Sequence, residues 1–94
     1  HRRDVSGYAR HLEWFDSELV GLCDLIRSND LILITADHGN DPTWSGTDHT
    51  RERVPVLALG QGSRGIGNVS FVDISASVAA HLNIKNRGTG KSFL

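Results

Sequence analysis

Tyr8, Leu12, Phe15, Leu19, Leu22 and Ile26 recur at alternating intervals of four and three, the apolar stripe of an amphipathic helix over roughly residues 4 to 27. A different pattern follows. Leu31-Ile32-Leu33-Ile34 is a continuous apolar run, too short for a helix and bounded by Ser28-Asn29-Asp30 and Gly39. It predicts a strand over 31 to 36 buried on both faces. Val54-Pro55-Val56-Leu57-Ala58-Leu59 predicts a second strand, with Pro55 at its beginning or on an edge because proline cannot donate to a ladder. A second helix is expected from Asp73, with Ile74, Val78 and Leu82 on one face, ending near Asn83 before a basic, glycine-containing tail. The predicted class is α/β, with the first helix packed through its stripe onto the sheet. Cys23 falls four residues after Leu19 and reads as a small core residue rather than a reactive thiol. His11, beside Arg10 and off the stripe, reads as solvated.

The polar segment from Gly39 to Arg53 is too long for a plain connection in a compact domain, which marks it as functional. Thr35-Ala36-Asp37-His38-Gly39-Asn40-Asp41 opens it, and Thr47-Asp48-His49-Thr50 lies near its end. Asp37 and His38 fall at the carboxyl end of the first predicted strand, where open α/β sheets gather ligands. Neighbours in an extended strand point to opposite faces, so these two can serve one centre only if the chain leaves that geometry. Gly39 is expected to permit the departure. His1, Asp37, His38 and His49 are nitrogen and oxygen donors suited to a divalent ion such as Mn²⁺ or Zn²⁺; with no cysteine near them, a thiolate zinc site does not fit. Asn40, Asp41 and Asp48 are candidates to support the ligand imidazoles from behind, although Asp41-Pro42 also has plain turn chemistry.

Composition narrows the class. Ninety-four residues make one small domain at most. The chain starts at His1 and contains no methionine, and it is therefore read as the carboxyl-terminal piece of a longer protein. Ten basic and 11 acidic residues, net charge -1 and dispersed, give no nucleic-acid or acidic-membrane surface. No apolar run approaches the roughly 20 residues of a membrane span. A single cysteine offers no disulfide framework and agrees with a reducing, cytoplasmic setting.

Two glycine-rich segments imitate phosphate-binding loops. Gly60-Gln61-Gly62-Ser63-Arg64-Gly65 has dinucleotide-fingerprint spacing after a strand, but Ile66-Gly67-Asn68-Val69 does not open the helix whose amides a pyrophosphate needs. Gly88-Thr89-Gly90-Lys91-Ser92 ends like a P-loop, yet Lys85 stands where the first glycine is required. Both are read as turns.

Ala36-Asp37-His38-Gly39-Asn40-Asp41-Pro42-Thr43, then Gly46-Thr47-Asp48-His49-Thr50-Arg51-Glu52 and Val54-Pro55-Val56, closely resemble the carboxyl-terminal metal motif of the phosphopentomutase family within the alkaline phosphatase superfamily. His1-Arg2-Arg3-Asp4, Gly7-Tyr8-Ala9 and Gly90-Lys91-Ser92-Phe93-Leu94 extend the likeness over nearly the whole chain. It implies an alkaline phosphatase-like core fragment, a sheet flanked by helices. It further implies interconversion of (deoxy)ribose 1-phosphate and 5-phosphate with a pentose phosphate as substrate, two Mn²⁺ and a phosphorylated threonine. By position, His1 and His49 would ligate one ion, Asp37 and His38 the other. The threonine, two further aspartate ligands and the cap domain would lie upstream, leaving this piece inactive alone. In such sites two cations about 4 Å apart activate the nucleophile and neutralise the transferring phosphoryl group. Cofactor-independent phosphoglycerate mutase shares a similar Thr-Ala-Asp-His-Gly-Asn core but not the Asp-Pro-Thr and Thr-Asp-His-Thr-Arg-Glu continuations, and ranks second. A metal-dependent phosphatase of the same superfamily, or a non-catalytic metal-binding domain, is the remaining alternative.

Overall fold

The helix α1 spans Val5–Cys23 and begins where Asp4 can cap it, its carboxylate accepting from the Gly7 N–H at 2.9 Å. This is a computed structural model, and it describes residues 1–60 and 62–94. Strand β1 (Ile32–Ile34), strand β2 (Leu57–Leu59) and helix α2 (Phe71–His81) follow. The chain divides into two units, His1–Gly60 and Gln61–Leu94.

In the first unit β1 pairs antiparallel with β2, in the register Ile32↔Leu59, Leu33↔Ala58 and Ile34↔Leu57. The α/β class is therefore as expected, but both strands are shorter than the apolar runs that predict them, and β1 is half-buried rather than enclosed on both faces. Pro55 precedes the paired residues, where its missing N–H costs no ladder bond.

Helix α1 forms with the expected period and without the expected packing. Tyr8, Leu12, Phe15 and Leu22 are 46%, 57%, 42% and 42% exposed, and among the described elements only β1 and β2 pack on each other. The stripe therefore does not pack on the sheet, and Cys23 is exposed with it instead of being a core residue. Periodicity reports that one face is apolar; it does not say which surface covers that face. The helix also stops short of Arg27. There the backbone turns, with the Asp30 carboxylate accepting from the Arg27 N–H at 3.0 Å and pairing with its guanidinium at 3.1 Å.

In the second unit α2 starts at Phe71 after Ser70, two residues earlier than expected, so that Asp73 lies in the first turn and accepts from the Ser70 N–H at 2.8 Å. Its last residue is His81, and Asn83, just past the cap Leu82, closes it as a left-handed residue with φ of 54° and an N–H to the Ala80 carbonyl at 3.1 Å. The buried face is Ala76, Ser77 and Ala79, not Ile74, Val78 and Leu82; Val78 and Leu82 are 39% and 59% exposed. Small residues win here because the tail lies on them. The Ser77 hydroxyl donates to the Asp73 carbonyl at 2.7 Å and accepts from the Phe93 N–H at 3.0 Å. A Cβ on Gly90 would come within 1.9 Å of the Val72 carbonyl oxygen, so only glycine fits that crossing.

The second phosphate-loop imitation is thus a turn that ties the tail to α2, Asn86 bridging the Gly88 N–H and the Gly90 carbonyl. In the first, Gly60 and Gly62 have φ of 100° and 79°, and among the described residues no helix opens before Phe71; Gln61 lies outside them.

Asp73 also accepts from the Lys91 N–H at 2.8 Å. That bond, then the one from Ser70, holds its pKa below the ordinary carboxylate value. Its contribution to stability is accordingly complete above the unfolded value of about 3.9 and lost as pH falls through the lower folded value. Asp73→Asn is expected to flatten the part of the acid-unfolding profile below about pH 4. An unchanged profile, followed by circular dichroism, would remove Asp73 from the set of groups that drive acid unfolding.

Candidate metal centre

After β1 the backbone bends at Asp37 and His38, and Gly39 then forms an isolated antiparallel bridge with Thr50. The long polar segment thereby closes on itself, and the Asp41 N–H donates to the Thr50 hydroxyl across the same junction. Gly39 serves this differently from the expectation: it is not among the glycines with positive φ. What it supplies is room. It is buried, and a Cβ there would lie 2.5 Å from the Glu52 Cβ and 2.7 Å from the Glu52 nitrogen.

His1, His38 and His49 converge at this junction, each offering a ring nitrogen within 4.8 Å of the others. His38 and His49 stack with ring centroids 3.6 Å apart, and His1 lies 4.7 Å from His49. Backbone carbonyls set the tautomers. His1 Nδ1 faces the Thr47 carbonyl at 2.8 Å and His38 Nδ1 faces the Gly39 carbonyl at 3.0 Å. A carbonyl only accepts, so in the neutral rings Nδ1 holds the proton and Nε2 the free lone pair.

Two short distances involve those Nε2 atoms. His1 Nε2 lies 3.1 Å from His49 Nε2, and His38 Nε2 lies 3.6 Å from an Asp37 carboxylate oxygen. Two nitrogens bound to one ion at 2.0–2.1 Å sit about 3.3 Å apart in a tetrahedral set, close to the separation of the His1 and His49 nitrogens. Asp37 stands outside the three-histidine cluster, its side chain 89% exposed against 37% for His38. The donor set is hard to borderline and open to solvent, suited to a divalent metal that also binds substrate.

The Asn40 and Asp41 side chains expected to support the imidazoles are engaged elsewhere. Asn40 Oδ1 accepts from Arg3 at 2.7 Å, and it is the backbone carbonyl of Asp48 that meets Arg3, at 2.6 Å. The Asp41 carboxylate accepts from the Thr43 hydroxyl at 2.7 Å and from the Thr43 N–H at 2.8 Å, bonds that lower its pKa in that order of effect. This is the turn chemistry that Asp41-Pro42 suggested. The residue that sequence reasoning passes over is Arg3. Its guanidinium donates to the Asn40 side chain and to the carbonyls of Asp41, Gly46 and Asp48. Its place two residues after His1, within His1-Arg2-Arg3-Asp4, was the available signal, but nothing in that pattern separates it from Arg2.

A profile of the Metalloenzyme superfamily matches residues 1–86. The chain belongs to the Metalloenzyme superfamily. Membership implies binding of a divalent metal, in accord with the donor set above. Among curated relatives, the chain is 57% identical over 97 residues to the phosphopentomutase of Methylobacterium radiotolerans and 54% identical over 98 to that of Shewanella denitrificans. It is 55% identical over 96 residues to that of Methylorubrum extorquens. All or nearly all of this chain is covered in each case, and the chain spans about a quarter (24%) of the length of these relatives. Among the described residues no helix is long and apolar enough to cross a membrane.

Proposed function

We propose that this chain furnishes part of the two-metal centre of a phosphopentomutase, which moves phosphate between the 1- and 5-positions of ribose and deoxyribose through a phosphothreonine, in the cytoplasm. His1 and His49 hold one Mn²⁺, and Asp37 with His38 the other. The observation that carries this reading is the pairing of donor atoms, His1 Nε2 with His49 Nε2 at 3.1 Å and Asp37 Oδ2 with His38 Nε2 at 3.6 Å, with His38 and His49 themselves stacked. The identity to proteins named phosphopentomutase supports the choice of reaction. When bound, the cations supply charge neutralisation for a transferring phosphoryl group. The chain's own residues prepare the site: the Thr47 and Gly39 carbonyls fix two imidazoles with Nε2 outward, and the Gly39 and Thr50 bridge holds the segment's two ends together.

The test is a phosphate-transfer assay on the full-length protein loaded with Mn²⁺. It should interconvert ribose 1-phosphate and ribose 5-phosphate without net release of inorganic phosphate. Stoichiometric phosphate release would instead make it a phosphatase, and turnover of 2- and 3-phosphoglycerate alone would make it the other mutase.

A further inference from the structure

The segment His1–Arg3 takes up three consecutive backbone carbonyls immediately before His49. Arg3 Nε donates to the Gly46 carbonyl, His1 Nδ1 faces the Thr47 carbonyl and Arg3 Nη2 donates to the Asp48 carbonyl. The remaining guanidinium arm reaches the other end of the same loop, at the Asn40 side chain and the Asp41 carbonyl. One planar fork thus joins the residue after Gly39 to the residue before His49. Only arginine presents donors in that fixed spread; a lysine ammonium is a point charge with three donors at one atom. Arg3 also has φ of 58°, a left-handed backbone that a non-glycine residue keeps only when its surroundings hold it there.

We propose that Arg3 is a positioning residue of the histidine site, fixing the Asn40–Asp48 loop so that His49 is delivered to His1 and His38. The inference rests on the reading of those histidines as a metal centre, and it adds a residue whose guanidinium is turned to the loop's carbonyls and the Asn40 side chain. It acts by preorganisation. Without the fork, the Gly46 and Asp48 carbonyls turn to solvent and the loop samples positions in which the His49 ring leaves its neighbours, so ion binding must order the loop as well as coordinate.

The test compares Arg3→Lys and Arg3→Gly with the wild type and with Arg2→Lys, in the full-length protein. Co²⁺ serves as the probe, its affinity read by visible absorption. Nuclear Overhauser contacts between the His1 and His49 rings are read in the metal-free protein. Arg3→Lys is expected to bind Co²⁺ about 10- to 100-fold more weakly, the usual cost of losing a partner behind a metal ligand, and to lose the ring contacts. Arg2→Lys should match the wild type. Glycine accepts the left-handed backbone, so Arg3→Gly removes the fork without backbone strain, and added guanidinium ion should restore part of its Co²⁺ affinity. Wild-type affinity and ring contacts in Arg3→Lys would overturn the proposal. A wild-type protein that takes up no Co²⁺ would overturn the metal reading instead, and the ring contacts alone would then decide whether Arg3 positions His49.

Discussion

On the proposed phosphopentomutase reading, His49→Ala is expected to abolish most phosphate transfer in the full-length protein while leaving its thermal unfolding close to wild type. His49 is exposed, and its contacts are the His1 and His38 rings, so truncation opens no cavity and orphans no buried polar group. Exposed changes of this kind usually alter stability by no more than about 0.5 kcal/mol. The chemical cost is of another order. His49 Nε2 is one of the two nitrogens that meet at 3.1 Å, and on the proposed assignment its loss leaves His1 without its partner at the ion. Losing a direct ligand should exceed the roughly 10- to 100-fold in metal affinity or activity that an outer partner is worth. The loss should fall on kcat more than on substrate binding, because charge neutralisation is needed chiefly in the transition state. His11→Ala is the control. His11 is also exposed and ring-stacked, on Trp14 at 5.0 Å, but on α1 and away from the cluster. Near wild-type turnover and metal affinity in His49→Ala, with His11→Ala unchanged as well, would remove His49 from the metal centre.

The convergence of His38 and His49 was more legible than the packing, for a physical reason. Metal chemistry restricts residue types, and a strand end followed by an overlong loop restricts where they can meet, while Asp37 stands outside the three-histidine cluster. Helix α1 was legible as a helix because its 3.6-residue period is local. Its covering surface was not, and Tyr8, Leu12, Phe15 and Leu22 stand exposed in a chain spanning about a quarter (24%) of the length of its relatives. On α2 the apolar pattern of Ile74, Val78 and Leu82 pointed to the wrong face. Burial there is decided by how near the Gly90–Phe93 tail can come, which small Ala76, Ser77 and Ala79 allow. Arg3 could not be found from periodicity at all. Its partners lie 37 to 45 residues away and three are backbone carbonyls, which carry no side-chain signature.

Gly39→Ala should couple these two levels, destabilising the first unit and weakening metal binding in one substitution. The added Cβ would lie 2.5 Å from the Glu52 Cβ, 2.7 Å from its nitrogen and 2.8 Å from its Cα. All three are too close, and two are backbone atoms that a rotamer change cannot move. The segment around Thr50 to Glu52 must therefore shift, breaking the Gly39 and Thr50 bridge and the bond from the Asp41 N–H to the Thr50 hydroxyl. Overpacking of this sort costs about 1–3 kcal/mol. His49 immediately precedes Thr50, so the same shift draws its ring from His38 and His1 and should lower Mn²⁺ affinity. Glu52→Ala should not rescue it, since the Cβ and both backbone atoms remain. Gly21→Ala gives the contrast within one chain: nothing lies within 4 Å of its Cβ position, in the body of α1, and alanine there should stabilise by about 0.5–1 kcal/mol. Chemical denaturation and Mn²⁺ titration of the two variants, side by side, measure both effects. If Gly39→Ala is as stable as the wild type and binds Mn²⁺ equally well, close approach at Glu52 is not what shapes the junction, and the geometric account of the three-histidine cluster fails with it.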